Sequence, residues 1–345
     1  MQPEVVVVGS FIQDLTFLCD AFPLPGETTI GRFLTGPGGK GSNQAVAAAR
    51  AGARTRFIGA VGMDAFSEAA ENFLRAEGID ACLVYLKKYP TGTAGIVVNQ
   101  TGQNQIVVAL GASAHLAASG VPESLLRRSK VVIAQHEANL AINAHVFRAA
   151  RRLGATTVLN PAPMRPDFNT SILHQVDVLI PNENEFVTLA QQLPACAPLI
   201  RKPPFNVGGT FTAGTLSQVP ATGMQQLCRA FGVPVVIVTL GKRGCFVSLS
   251  DRCEHVPAHA VEVVDSTGAG DAFVGGFAAG WVKFEGNALL AARYANAVAA
   301  LSATKFGTAL SMPRHAEIER FLHQQTKSQR PAKSSPRKQK PSRST

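Results

Sequence analysis

Apolar residues along this chain fall into short runs that end in polar or glycine-rich clusters. Val5 to Val8 has no polar alternation, which predicts a strand covered on both faces and ending at Gly9-Ser10. Phe57–Val61, Val131–Ala134, Thr156–Leu159, Val176–Ile180 and Val235–Leu240 repeat the pattern, with helical stretches such as Glu68–Glu77 and Asn143–Leu153 between some of them. This rhythm predicts a parallel sheet in an α/β sandwich. Gly92–Asn99 and Gln105–Leu110 flank Gln100-Thr-Gly-Gln-Asn104 and predict a hairpin. No helix separates these strands. With Leu15–Cys19 and Thr28–Leu34 they predict a small β lid outside the main sheet, within roughly residues 15–35 and 91–111. Leu193–Thr222 is rich in Pro, Gly and Thr without periodicity and predicts a surface insertion. Ala272–Gly280 is apolar on every side and predicts a buried helix after a strand-like Val261–Val264. The Ala-rich run Ala288–Lys305, ended by Phe306-Gly307, and the amphipathic Pro313–Gln325 predict two more helices.

Composition changes this picture only at the C-terminus. The net charge is +10, but residues 327–345 hold seven Lys or Arg and no acid, leaving +3 for residues 1–326. That segment predicts a disordered basic tail behind one domain over 1–326. A solvated tail is the expectation, with nucleic-acid contact the rival. No apolar run is long enough for a membrane span, and no basic segment precedes Val5–Val8 as in a secretory signal. Six scattered cysteines without a CxxC pair predict reduced thiols in a cytoplasmic protein, with the nucleus left open.

Candidate chemistry sits where the strands end, because ligands of open α/β sheets bind at the carboxyl edge. Asp14, Gln135-His136-Glu137, Asn160-Pro-Ala-Pro163, Pro181-Asn-Glu-Asn-Glu185 and Gly241-Lys-Arg-Gly244 all follow predicted strands. Gly36–Gln44 runs into a helix predicted from Ala45 to Ala51. It is no Walker loop, since Lys40 is followed by Gly41. Its Gly38 and Gly39 admit a ligand, and Lys40 and Asn43 offer polar contacts. Asp265-Ser-Thr-Gly-Ala-Gly-Asp271 places free helix-start amides beside the carboxylate of Asp271, an arrangement suited to a base next to a transferring phosphate. A plain capped helix start is the alternative. His136 beside Glu137 has no third ligand at usable spacing, so a hydrogen-bonded or exposed histidine is expected instead of a metal site.

Gly38-Gly-Lys-Gly-Ser-Asn-Gln44 and Asp265-Ser-Thr-Gly-Ala-Gly-Asp271, with Pro23-Leu-Pro-Gly-Glu27, Asn160-Pro-Ala-Pro163 and Pro181–Glu185, resemble the ribokinases of the PfkB-type sugar-kinase family over nearly all of residues 4–323. The resemblance implies a three-layer α/β/α sandwich with a β lid. It implies ATP-dependent phosphorylation of D-ribose at the 5-hydroxyl, with Mg²⁺ accompanying ATP, K⁺ as activator, and a homodimer joined through the lid. Carried over by position, Asp271 is the base and Gly268, Ala269 and Gly270 form the anion hole. Asp14, Gly39, Lys40, Gly41, Asn43 and Glu137 line the sugar pocket. Thr239, Gly241, Lys242, Arg243, Gly244, Gly270, Asn296 and Asn182 serve the nucleotide. Asn182 and Glu185 act on magnesium mostly through water, and Asp265, Thr267, Ser302, Lys305, Gly307 and Ser311 surround potassium. The chain departs from bacterial ribokinases at Ile12, where Asn is common, and this leaves deoxyribose, another pentose or a nucleoside as rival substrates.

Overall fold

The structure, a computed structural model, describes residues 2–205 and 210–328. The basic tail beyond Ser328 lies outside the described residues, while Lys327 and Ser328 close the last helix. Nine strands form the main sheet. Their spatial order is β13 (Cys253–Val256), β12 (Cys245–Ser248), β11 (Val235–Thr239), β10 (Val178–Leu179), β9 (Thr156–Leu159), β8 (Val131–Ala134), β1 (Val5–Val8), β4 (Thr55–Val61) and β5 (Asp80–Tyr85). All pairings from β11 to β5 are parallel, and β12 and β13 add an antiparallel edge.

Two apolar cores explain why β1 shows no polar alternation. Val6 and Val8 face one core, shared with α4 (Leu140–Arg152), α5 (Glu183–Gln192) and α8 (Ala221–Ala230). Val5 and Val7 face the other, shared with α1 (Lys40–Arg50), α2 (Ala65–Ala76), α9 (Ala269–Lys283), α10 (Ala288–Ser302) and α11 (His315–Ser328). Three short helices, α3 (Glu123–Leu126), α6 (Ala197–Ile200) and α7 (Ala213–Leu216), complete the set among the described residues. The predicted α/β/α sandwich is therefore present. β1 sits between β4 and β8, where the chain reverses its direction of travel across the sheet, a place where ligand crevices form in open α/β folds.

The lid is a second sheet, in the order β3 (Arg32–Gly38), β2 (Ile12–Leu18), β6 (Gly92–Val98), β7 (Asn104–Ala109). β6 and β7 form the predicted hairpin. The first two strands differ from expectation: β2 begins at Ile12, and β3 runs over 32–38 instead of 28–34. Register decides this, because Leu18 pairs with Arg32 and Ile12 with Gly38. Pro37 is tolerated because β3 is an edge strand.

Three further expectations are corrected. Val261–Val264 is not a strand. Val261 and Val263 wall a cavity, which accounts for their apolar character without a sheet. The helix expected from Ala45 begins at Lys40, because tertiary bonds hold its first turn: Lys40 N donates to Glu137 and Ser42 N to Ser10 O. Residues 193–222 are not wholly solvent-facing: most of the described ones are exposed, as a surface segment requires, but five are anchored inward. Cys196, Phe205, Phe211, Leu216 and Val219 join the core with α5 and α8.

Helix α9 lies against α1 at close range. A Cβ built on Gly275 would stand 2.3 Å from Gln44 O and 2.6 Å from the Ala47 Cβ. Backbone cannot yield as a side-chain tip can, so Gly275→Ala is expected to destabilise by roughly 1–3 kcal/mol, as overpacking does. Urea unfolding measures this as a lowered midpoint, and an unchanged midpoint would mean the two helices separate freely.

Candidate active site

Asp271 lies in the first turn of α9, 6% exposed, and its carboxylate is held from a single turn of α1. Asn43 Nδ2 donates to Oδ2 and Gln44 Nε2 to Oδ1, each at 3.0 Å. Gly268 precedes the helix at φ 78°, a left-handed conformation that suits glycine and turns the chain into the first turn. The amides of Gly268 and Gly270 donate to no protein group among the described residues, whereas the Ala269 amide is used by Ser266 O at 3.2 Å. The expected anion hole thus has two free donors of its three.

Lys40, Asn160, Asn182, Glu185, Thr239, Gly268, Gly270 and Asp271 line one cavity of about 220 Å³. Asp271, acting against burial, and then Glu137 and Glu185 hold the Lys40 ammonium above the ordinary lysine range. Burial pushes the Glu185 carboxyl up, offset in part by the Asn182 amide and by Lys40. Asn182 and Glu185 also cap α5 reciprocally: Asn182 Oδ1 accepts from Glu185 N at 2.9 Å, and Glu185 Oε2 accepts from Asn182 N at 2.8 Å. Their sequence pattern therefore has a structural reason independent of any metal.

On the lid side, Glu137 Oε2 accepts from Ser10 Oγ and from Lys40 N, both at 2.8 Å. It places negative charge on the positive end of α1. Asp14, in β2, is partly buried, and its pKa is raised to about 6 by burial first and then by Glu137, with Thr308 acting in the opposite direction. Gly39 is the N-cap of α1, and Gly41 follows in its first turn. Asn43 Oδ1 is buried without a partner among the described residues.

A second cavity of about 670 Å³ adjoins the first and shares Thr239 and Gly270 with it. Gly241, Lys242, Gly244 and Asn296 line it as expected, beside Val261, Phe273 and Ala299. Arg243 does not; its guanidinium pairs with Glu183. Asp265 ties two turns together, accepting from Thr267 N at 2.9 Å and from Gly307 N at 3.0 Å. Ser302 and Ser311 turn their hydroxyls to the carbonyls of Ala299 and Thr308, and Lys305 reaches Glu317. His136 is not exposed: it is fully buried against Phe168, where burial pushes its pKa down to about 4 and a weak interaction with the Pro163 backbone acts in the opposite direction. A larger space of about 710 Å³ under α4 contains none of the expected site residues, so chemistry and not size locates the site.

Sequence reasoning missed Thr308, named Ser10 and Gln135 only as residues at strand ends, and assigned no role to Gln44. Their partners give no signal until β1, β8 and the 307–311 turn are brought together.

An α/β sandwich that carries a small second sheet, with a helix N-terminus between a polar pocket and a larger cavity, is the architecture of a small-molecule kinase. The sequence pattern of the pfkB family carbohydrate kinases matches residues 2–315, and the chain belongs to that family. It is 33% identical over 326 residues to the ribokinase of Haemophilus influenzae, covering 93% of this chain and 99% of the relative. To the deoxyribokinase of Salmonella typhi it is 31% identical over 325 residues, covering 92% and 98%. The structure of Arabidopsis thaliana ribokinase complexed with ribose and ATP superposes with a TM-score of 0.77 at 28% identity, covering 93% of this chain and 99% of that one.

The raised pKa of Asp14 has a consequence for stability. Its protonated form is favoured by folding, so the group costs nothing well below 3.8, and its penalty grows as the pH rises until it is complete above about 6. Asp14→Asn is therefore expected to melt higher than the parent at pH 8, with the gain shrinking toward pH 4. A gain that is constant across this range would place its cause elsewhere.

Proposed function

We propose that the chain is an ATP-dependent kinase that phosphorylates D-ribose at the 5-hydroxyl. The observation that carries this reading is Asp271, clamped by Asn43 and Gln44 beside Lys40 and the free amides of Gly268 and Gly270. Asp14, Lys40, Asn43 and Glu137, with the backbone of Gly39 and Gly41, would hold the sugar. The 5-hydroxyl would then meet Asp271, which takes its proton as the oxygen attacks the γ-phosphate. Charge on the transferring group would face the helix start at Gly268–Gly270. Phosphoryl transfer asks mainly for such positioning and electrostatics, which this site supplies without a covalent step.

Thr239, Gly241, Lys242, Gly244 and Asn296 would surround the nucleotide, in the cavity that supports this assignment. Mg²⁺ brought with ATP supplies neutralising charge on its phosphates. Asn182 and Glu185 would receive the ion's waters. The site suits this role: each Glu185 oxygen accepts one hydrogen bond and keeps another lone pair. Asp265 and the carbonyls of Thr267, Ser302, Lys305, Gly307 and Ser311 would hold K⁺. The side chains of Ser302, Lys305 and Ser311 are engaged elsewhere, which favours their carbonyls as ligands. Lid closure would exclude water during transfer. Exposed Phe17, Phe33 and Val107 on the lid support a dimer formed through that sheet.

One observation favours a second substrate. Ile12 is 2% exposed at the start of β2, near Asp14 in the same strand, and offers no hydrogen bond to a sugar hydroxyl. 2-Deoxyribose, which lacks a hydroxyl, is the sugar such a wall would penalise least.

The test is phosphorylation of ribose, 2-deoxyribose, fructose and adenosine, each in K⁺ and in Na⁺. Ribose turnover that rises with K⁺ is expected; preference for deoxyribose would assign selectivity to Ile12, and no sugar turnover would sink the proposal. Asp271→Asn is expected to lower kcat by about 10²- to 10⁴-fold with little change in melting temperature. Because the ionised Asp14 accepts sugar hydroxyls, kcat/KM for ribose should fall as the pH drops through about 6. A flat profile down to pH 5 would contradict that role.

A further inference from the structure

A row of buried carboxamides ends on Asp271, and its direction follows from chemistry. Asn160 Nδ2 donates to Ile180 O at 2.8 Å; a carbonyl only accepts, so Asn160 must turn its own oxygen the other way. That oxygen accepts from Gln44 Nε2 at 3.0 Å, and the same nitrogen donates to Asp271 Oδ1 at 3.0 Å. With its amino group shared between two acceptors, Gln44 presents Oε1 to Gln135 Nε2, at 2.7 Å. Gln44 and Asn160 therefore each have one satisfied orientation, and Gln135 follows Gln44, its own Oε1 being buried without a partner among the described residues. Gln44 is 0% exposed and Gln135 1%, and neither borders open space, so a bond lost between them leaves a buried polar atom unpaired, whereas Asn160 lines the cavity. Neither Gln44 nor Gln135 lines the cavity that Asp271 lines.

We propose that Gln44 is a positioning residue for phosphoryl transfer: it holds the Asp271 carboxylate in one orientation, and Gln135 enforces this by setting the direction of the Gln44 amide. The proposal rests on reading Asp271 as the base. Both Asp271 oxygens receive donors from consecutive residues of α1, Asn43 and Gln44, so rotation of the carboxylate breaks both bonds at once. Removing the Gln135 donor leaves a buried acceptor on Gln44, and flipping that amide to satisfy it would set an oxygen against Asp271.

The experiment compares Gln44→Met, Gln135→Met and the double variant, each in the parent and in an Asp271→Ala background, by steady-state and single-turnover kinetics with ribose and ATP. In the parent, Gln44→Met is expected to lower kcat by about 10- to 100-fold, the scale of a displaced catalytic group. KM for both substrates should stay within about threefold. Gln135→Met should lower kcat by about tenfold, and the double variant no further than Gln44→Met alone. In Asp271→Ala, Gln44→Met should change the residual single-turnover rate less than about twofold. Gln44→Glu, of the same size, puts an acceptor against Asp271 and should show the same kcat loss if the methionine variant does not fold. A loss of the same factor in both backgrounds, or one expressed in KM, would overturn the relay. Near-normal turnover by Asp271→Ala alone would instead overturn the base assignment, and the relay with it.

Discussion

A buried carboxylate must be held by donors, and around Asp271 this constraint organises the interior. At 6% exposure it has little access to water, so its charge is stabilised by Asn43, Gln44, Lys40 and the start of α9. Those groups come from two helices far apart in sequence. The helices must therefore approach closely, which is why Gly275 faces Gln44 with no side chain between them. Packing and chemistry are one requirement here.

The same logic extends outward through charge. Glu137, Glu185 and Asp271 stand near one ammonium, Lys40, while burial first and then repulsion from Glu137 lift Asp14 to about 6. Such a concentration of acid destabilises the free protein and suits a site that exchanges water for a polyhydroxylated ligand. Glu137 reduces the strain by sitting on the N-terminus of α1, and Glu185 by closing the cap of α5. The capping pattern that makes Asn182 and Glu185 visible in the sequence is consequently a local structural device as well as a candidate metal contact.

Much of this was legible in the chain. The unbroken apolar runs at Val5–Val8 and Val131–Ala134 could only be strands buried on both faces, and the motifs at 38–44 and 265–271 announced helices following glycine-rich turns. Misreadings arose where local preference competes with distant contacts. Thr28–Leu34 has strand-like residues, yet pairing with β2 selected Arg32–Gly38. Val261–Val264 is apolar because it borders a cavity, and residues 193–222 lack periodicity although Phe205 and Phe211 enter the core. His136 looked polar by type, but burial against Phe168 leaves it neutral.

By itself, the sequence determined the layer order, the presence of the lid and the residue types at the helix starts, because these depend on periodicity and on backbone rules acting over a few residues. Only the tertiary structure decided which amide faces which oxygen around Asp271, that Glu137 caps α1, and that Thr308 reaches Asp14 across the fold. Those contacts join residues separated by about a hundred positions or more. Nothing in a local window encodes them; they follow from β1, β8 and α9 meeting at one edge of the sheet, where a buried polar group must find its partner or pay for lacking one.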